Sequence, residues 1–203
     1  ATVTVNVKEP FITSGPTLTN YFGAGDSANH VTFPSTLAIT EIGQFAFSNY
    51  DYVEKDENDE ISDEAPETMK MWFLGDSTIK QVTIPEGVTR IGPYAFANMT
   101  ALEKVNLPST LETIDYGAFY GCNKLTTVNG IENVKFINRS AFQGCAITGT
   151  LNLANAVAIA DLAFSENAAI RNVKLPTTLQ SLGSYAFGAN SALQNVEIAA
   201  EKI

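Results

Sequence analysis

An Ala-Phe pair that returns at nearly constant spacing constrains this chain more than any other feature. The Phe of each pair falls at six positions: Phe47, Phe96, Phe119, Phe142, Phe164 and Phe187. Four of the five intervals are 23, 23, 22 and 23 residues, and the first is 49. Such a period predicts a solenoid, because a short unit cannot bury its own apolar face and must stack on its neighbours.

The long first interval is predicted to contain two coils. The segment WFLGDSTIKQV, residues 72–82, aligns without gaps on AFANMTALEKV, residues 95–105. This alignment puts Phe73 in the Phe position, 23 residues before Phe96. Phe22 takes the same position in an earlier coil, nine residues before Val31. The chain is therefore predicted to form about eight coils of 22–26 residues, with degenerate outer coils.

Each coil is predicted to contain a strand, a proline turn and a short helical turn. Val105-Asn106-Leu107 has the two-residue alternation of a strand, and Pro108 ends it because proline cannot donate to a sheet ladder. The Ala-Phe segment has room for a single helical or 3₁₀ turn. We expect the Phe rings to fill one slot in every coil, and the Ala to avoid overpacking beside them. The predicted fold class is an α/β repeat solenoid.

The segment LEKVNLPSTLETIDYGAFYGC, residues 102–122, resembles the repeat of the BspA-like, or Treponema pallidum type, class of bacterial leucine-rich repeats. The resemblance covers residues 31–198 and implies a curved solenoid with parallel strands on its concave face and helical turns opposite. It also implies a secreted or cell-surface protein used for adhesion and recognition, commonly in host-associated bacteria, and it does not imply catalysis. A right-handed parallel β-helix is the alternative architecture, and it would not need a helical turn in every coil.

Two lanes of outward side chains are predicted on the concave strand face. If Leu102, Val105 and Leu107 point inward, the residues between them point outward, and the same phase can be followed from coil to coil. The candidate ligand-binding residues are Gln81, Thr83, Lys104, Asn106, Thr127, Asn129, Thr150, Asn152, Asn172 and Lys174. His30 and Thr32 extend the lanes at one end, and Asn195 and Glu197 extend them at the other.

The resemblance implies a non-catalytic recognition domain that binds a host or neighbouring-cell protein, such as a component of the extracellular matrix, and the lanes indicate where that ligand would bind. A glycan-binding module and a passive spacer of a larger surface protein are the alternatives. The lanes lack the aromatic rings that sugar sites usually offer and that protein hot spots favour. A solvated sheet face, in which Thr is favoured by strand propensity, would have the same composition.

Negative charge is concentrated in one segment. The net charge is −10, and residues 51–67 hold nine acids against Lys55. Nucleic acid is not an expected partner, since binding a phosphate backbone requires clustered basic residues. Acids from Asp56 to Glu67 match part of the spacing of an EF-hand, but Ile61 occupies the position that needs Gly. We therefore expect a solvated acidic insertion in the third coil, or an electrostatic attractant for a basic partner, and no metal.

No catalytic constellation is predicted, and no cofactor. His30 is the only histidine, so neither a second His nor a His-rich metal site is available. Glu112 and Asp115 are expected to point outward and solubilise the coil. Cys122 and Cys145 occupy the same position in adjacent coils, within the reach of a disulfide. The resemblance implies that this column holds Cys as a small apolar group, which favours buried free thiols.

The chain is expected to form one leucine-rich repeat domain over residues 1–203. Residues 1–22 would supply a strand and a degenerate cap coil, residues 31–198 the core repeats, and residues 51–67 the acidic insertion. An extracellular or cell-surface location is expected, and no apolar run is long enough to span a membrane. The last coil has no amphipathic cap in the sequence, which predicts end-to-end self-association.

Overall fold

The computed structural model describes residues 11–21, 29–33, 37–49, 74–75 and 77–198. Within these residues the chain forms a β-solenoid of about six coils, and each coil carries two short strands. The first strands of successive coils are β3 (His30–Thr32), β7 (Gln81–Thr83), β9 (Lys104–Asn106), β11 (Thr127–Asn129), β13 (Gly149–Asn152), β15 (Ile170–Leu175) and β17 (Asn195–Ile198). The second strands are β4 (Glu41–Ile42), β8 (Arg90–Ile91), β10 (Thr113–Ile114), β12 (Phe136–Ile137), β14 (Ala158–Ile159) and β16 (Ser181–Leu182).

Parallel pairing of equivalent strands connects the coils. The first strands form two sheets, in the orders β3-β7-β9-β11 and β13-β15-β17. The second strands form one sheet that runs β4-β8-β10-β12-β14-β16. Its N-terminal edge is extended by an antiparallel hairpin of β1 (Phe11–Ser14) and β2 (Thr17–Tyr21). The two-residue alternation predicted for the first strands is confirmed, since Val82, Val105 and Val173 are fully buried.

The six Phe rings form a continuous stack through the core. Neighbouring ring centroids are 4.6, 5.0, 5.0, 5.2 and 5.6 Å apart from Phe47 to Phe187. Such spacing lies in the range of favourable aromatic pairs. The Ala before each Phe is buried in all six coils, as expected of a small residue beside the Phe slot.

The helical turn predicted opposite the strands is wrong. The described residues contain a single helix, the 3₁₀ turn Ile131–Asn133, and it follows β11 instead of an Ala-Phe pair. The residues two before and two after the Phe have positive φ in coil after coil: Phe45, Tyr94, Asn98, Gly117, Gly121, Ser140, Gly144, Leu162, Glu166, Tyr185 and Ala189. Left-handed residues at these positions interrupt a right-handed helix.

Hydrogen bonds between coils explain why the left-handed conformation is kept. The Phe119 N–H donates to the Ala141 carbonyl in the next coil at 2.8 Å, and the Phe96 N–H donates likewise to the Ala118 carbonyl. A helix would direct these amides back along their own coil. The Ala-Phe turns therefore form a ladder along the solenoid, and the second strands replace the predicted helical layer.

The prediction of eight coils is also wrong. Phe47 stacks directly on Phe96, and β4 pairs directly with β8, so no coil lies between them. The chain leaves the repeat through a short antiparallel pair of β5 (Ser48–Asn49) and β6 (Leu74–Gly75). The alignment of residues 72–82 on residues 95–105 is correct in its second half, because Ile79 and Val82 are core residues of the coil that contains Phe96. Phe22, Phe73 and Pro34, the acidic run and both termini lie outside the described residues.

Candidate functional site

The strand face is the outward surface of the first strands, and it carries both predicted lanes. Gln81, Lys104 and Thr127 are register partners across β7, β9 and β11, and Thr83, Asn106 and Asn129 form the parallel lane beside them. Beyond the break between β11 and β13, Thr150 aligns with Asn172, and Asn152 aligns with Lys174. All ten side chains are half-buried or exposed. The structure therefore brings the ten residues to one face in two aligned groups.

Half of these residues are engaged in side-chain ladders between coils. The Asn129 amide donates to Asn106 Oδ1 at 2.8 Å, and the Asn106 amide donates to Thr83 Oγ1 at 2.9 Å. In the second group, the Asn172 amide donates to Thr150 Oγ1 at 3.2 Å. Cross-strand pairs of this kind stabilise a sheet. The residues outside these ladders are Gln81, Lys104, Thr127, Asn152 and Lys174, and their polar groups are the more available ones for a ligand.

Acidic side chains of the turns hold neighbouring coils together. Asp115 was expected to point outward, and this is wrong: it is buried, and it accepts from Arg90 Nε at 2.6 Å and from Asn138 Nδ2 at 2.8 Å. The hydrogen bond with Asp115 raises the pKa of the Arg90 guanidinium. Glu112 pairs with Lys135 at 2.6 Å. These carboxylates are structural and form no acid–base pair.

Cys122 and Cys145 are free and buried, which confirms the thiol prediction. Their sulfurs also donate to the carbonyls of Phe96 and Phe119 in the preceding coil, at 3.0 and 3.1 Å. Asn167 occupies the same position in the coil after that of Cys145 and donates to the Phe142 carbonyl at 2.8 Å. In these coils the column supplies a hydrogen-bond donor, beyond the small apolar group predicted, whereas the buried Met99 takes the position in the coil of Phe96. Burial raises the pKa of the Cys145 thiol, so the column does not supply a reactive nucleophile.

Metal chemistry finds no support in the part of the chain that the structure describes. No group of three His, Cys, Asp or Glu residues there could hold a metal ion. His30 begins β3, is half-buried, and lies in register with Gln81. The partial EF-hand pattern falls outside the described residues. None of the helices in that described portion has the length and apolar character of a membrane span.

Two shallow depressions at the ends of β15 were not predicted from the sequence. One, of about 450 Å³, is lined by Thr148, Gly149, Ala168, Ala169, Arg171 and Ala192. The other, of about 390 Å³, lies around Asn152, Lys174 and Thr177. Arg171 belongs to neither lane. The sequence marks this region only indirectly. Ile147 follows Phe142 by five residues, whereas Leu125 follows Phe119 by six, and Gly149 lies in the longer segment between Ile147 and Leu151.

The parallel coils and the strand face are those of a leucine-rich repeat solenoid. The family model of the BspA type leucine rich repeat region, with six copies, matches residues 19–148 and 147–203. The chain therefore belongs to the BspA-type leucine-rich repeat family. A comparison with curated proteins found no match.

Solved structures of bacterial leucine-rich repeat proteins share the fold. The Treponema pallidum leucine rich repeat protein is 22% identical over 89% of this chain and 72% of its own, with a TM-score of 0.67. A leucine rich cell surface protein from Faecalibacterium prausnitzii is 22% identical over 96% of this chain, with a TM-score of 0.53. A Bacteroides ovatus protein is 20% identical over 92%, with a TM-score of 0.57. The chain spans 56% and 50% of the last two proteins.

Proposed function

We propose that this protein is a non-catalytic recognition domain that binds a host or neighbouring-cell protein through the strand face. The observation that carries the proposal is the alignment of polar side chains in register along that face, on a solenoid of the BspA type. A secreted or cell-surface location is part of the proposal. The relative from Faecalibacterium prausnitzii, described as a cell surface protein, supports it.

The five side chains outside the ladders would make the principal contacts. Lys104 and Lys174 supply charged donors, Gln81 and Asn152 supply amides, and Thr127 supplies a hydroxyl. The ladder residues would keep the neighbouring strands in register and present a fixed surface. Since the lanes carry no aromatic anchor, each contact would be modest, and strong attachment would require several copies to act together.

Surface-based binding to a panel of matrix proteins, mucins and glycans tests this proposal. A variant with Lys104, Asn106, Thr127 and Asn129 all replaced by Ala should lose a protein ligand. Because Asn106 and Asn129 also form a ladder, a second variant that replaces only Gln81, Lys104 and Thr127 separates binding from stability. Asn123→Ala/Lys124→Ala is the matched control, since both residues are exposed and lie outside the strand face. Retained affinity in both strand-face variants would refute the proposal.

A passive spacer is the second candidate, and the side-chain ladders favour it. Polar groups that satisfy one another across coils stabilise a rod whether or not a ligand exists. Silence across the whole panel would support the spacer. Saturable binding to a sugar, with no binding to any protein, would instead support the glycan-binding module.

Self-association through the last coil is proposed as an additional property. Val196 and Ile198 are 51% and 68% exposed, whereas their equivalents in the preceding coil, Val173 and Leu175, are buried. A second copy placed against this surface would cover them. Sedimentation velocity over a range of concentrations tests the proposal. Concentration-dependent association that Val196→Glu/Ile198→Glu abolishes supports it, and a monomer at the highest concentration refutes it.

A further inference from the structure

The strand face is interrupted at one place, and Arg171 lies beside the interruption. The first strands β11 and β13 do not pair, whereas the others in the described solenoid pair with their neighbours. Gly149 pairs with Ile170, and the following residue, Thr150, pairs with Asn172. Arg171, which lies between these two partners, is therefore the additional residue of a β-bulge. Bulges redirect a side chain and are frequent beside functional sites.

The depression that Arg171 lines lies beside the bulge. Gly149 has a φ of 76°, and a Cβ placed on it would meet no atom within 4 Å. Ala168, Ala169 and Ala192 form the remaining apolar walls. Hydrogen bonds from Gly149 to the Ala169 carbonyl and from Ala192 to the Ala168 carbonyl, at 3.1 and 3.2 Å, hold these walls between coils. The volume of about 450 Å³ lies within the range of small-molecule sites.

The Arg171 guanidinium has no acidic partner among the described residues. The register of β13 passes over Arg171, and on the other side its backbone carbonyl accepts from the Gln194 N–H at 2.8 Å. Elsewhere in this part of the chain, Asp161 accepts from the Ser184 amide, and Glu166 accepts from Gln143. Lys174, by contrast, lies directly opposite Glu197. Arg171 is therefore the cation of the β13-β15-β17 sheet whose charge no neighbouring carboxylate offsets.

We propose that the Arg171 pocket, formed by Thr148, Gly149, Ala168, Ala169, Arg171 and Ala192, receives an aspartate or glutamate side chain of the partner protein. The guanidinium can bind a carboxylate through two parallel hydrogen bonds, and the alanine walls can pack against the methylene groups. The overall charge of −10 does not oppose this, because the eight acids and eight bases of residues 77–198 cancel. This inference rests on the proposed recognition function and specifies its chemistry.

An amide-shift titration by NMR on the full chain tests the site. The probe is an acetylated pentapeptide with one central Glu, and the same peptide with Gln is its uncharged counterpart. We expect saturable shifts at the amides of Thr148, Gly149 and Arg171 with the Glu peptide alone. Arg171→Gln should raise the Kd at least about tenfold, whereas Arg171→Lys should raise it less because it keeps the charge and loses the bidentate geometry.

Two further variants separate the pocket from general electrostatics. Ala168→Leu keeps every charge and fills the depression, so it should also raise the Kd. Arg139→Gln removes one exposed cation outside the strand face and should leave the Kd unchanged. Equal losses in Arg139→Gln and Arg171→Gln, or no saturable shift in the wild type, would overturn the inference.

A sulfated disaccharide probe distinguishes a protein carboxylate from an anionic polysaccharide. Saturation of the same amides by the disaccharide, with no binding of the Glu peptide, would overturn the assignment to a protein side chain. The proposed function is tested separately by the Gln81, Lys104 and Thr127 variant. If that variant loses a protein ligand while the peptide fails to bind, the recognition function stands and the Arg171 inference falls.

Discussion

Replacing Asn167 should destabilise the protein more than any exposed polar substitution. Asn167 is fully buried. Its side-chain amide donates to the carbonyls of Phe142, Phe164 and Ser165 at 2.8, 3.1 and 3.2 Å, and its Oδ1 accepts from the Ile147 N–H at 3.1 Å. One short side chain thus connects two adjacent coils, those that lead into β13 and β15.

The magnitude follows from the number of groups left without partners. Two amide hydrogens and one oxygen serve these contacts, and each net hydrogen bond contributes about 1 kcal/mol. The buried Ile147 N–H would lose its partner in Asn167→Ala, which adds about 1–3 kcal/mol. We therefore expect Asn167→Ala to lower the free energy of unfolding by about 4 kcal/mol, a large part of the roughly 5–15 kcal/mol typical of a domain.

Urea denaturation followed by circular dichroism measures this loss. Asn167→Cys should fall between the wild type and Asn167→Ala, because Cys122 and Cys145 show that a thiol can donate to the same Phe carbonyl but offers Ile147 no strong acceptor. Asn123→Ala, an exposed amide, should change the stability by less than about 0.5 kcal/mol. A loss below about 1 kcal/mol in Asn167→Ala, or equal losses for Ala and Cys, would refute the hydrogen-bond account of this column.

Three further predictions concern the repeat itself. Phe119→Ala should lower the free energy of unfolding by about 3–5 kcal/mol, and Phe187→Ala by about half as much. The reason is that Phe119 stacks on two rings and Phe187 on one. Equal losses in urea denaturation would contradict this. Gly144→Ala should lower the free energy of unfolding by about 1–2 kcal/mol, because φ is 71° there although the nearest atom to the new Cβ is 3.7 Å away. Gly130→Ala should cost more, because its Cβ would lie 2.5 Å from the Leu107 carbonyl oxygen. Thermal melts that reverse this order would contradict the assigned strain. Cys122 and Cys145 should react with a thiol reagent at pH 8 only as fast as the protein unfolds, since both are buried and burial raises the pKa of Cys145; immediate labelling of the native protein would disprove this.

The sequence was sufficient to predict the core because the core is periodic. Phe96, Phe119 and Phe142 must fill equivalent slots, so their spacing alone predicts stacking. The Ala-Phe turn was not predictable in this way. Tyr94 and Leu162 adopt positive φ although neither residue favours it, and the preference comes from hydrogen bonds to the adjacent coil. Local propensity contains no information about those partners.

The candidate site, like the fold, is predictable from the sequence only in part. Outward lanes follow from strand alternation, and the register confirms their alignment. Which side chains are available depends on distances of about 3 Å between Asn106, Asn129 and Thr83, and composition cannot supply these. Arg171 keeps the repeat phase, since it follows Phe164 by seven residues just as Thr126 follows Phe119, and it is the register of β13 that passes over it. The phase alone therefore does not single it out. The irregular pairing between β13 and β15 is therefore a feature that the repeat pattern alone does not predict.

The six-coil architecture makes a last prediction, because it implies that the insertion after Phe47 can be removed. Asn49 pairs with Leu74, so the two ends are already adjacent, and Phe47 already stacks on Phe96 at 4.6 Å. We expect a chain in which Asn-Gly replaces residues 50–73 to fold cooperatively. Shortening the connection between Asn49 and Leu74 from 24 residues to two would stabilise the protein by about 2 kcal/mol on the flexible-chain relation between closure entropy and length. A control that removes residues 97–119, from Ala97 to Phe119, shortens the stack by one ring and tests how stability follows coil number. If the first deletion unfolds the protein while the second does not, residues 50–73 are needed for folding and the prediction is refuted.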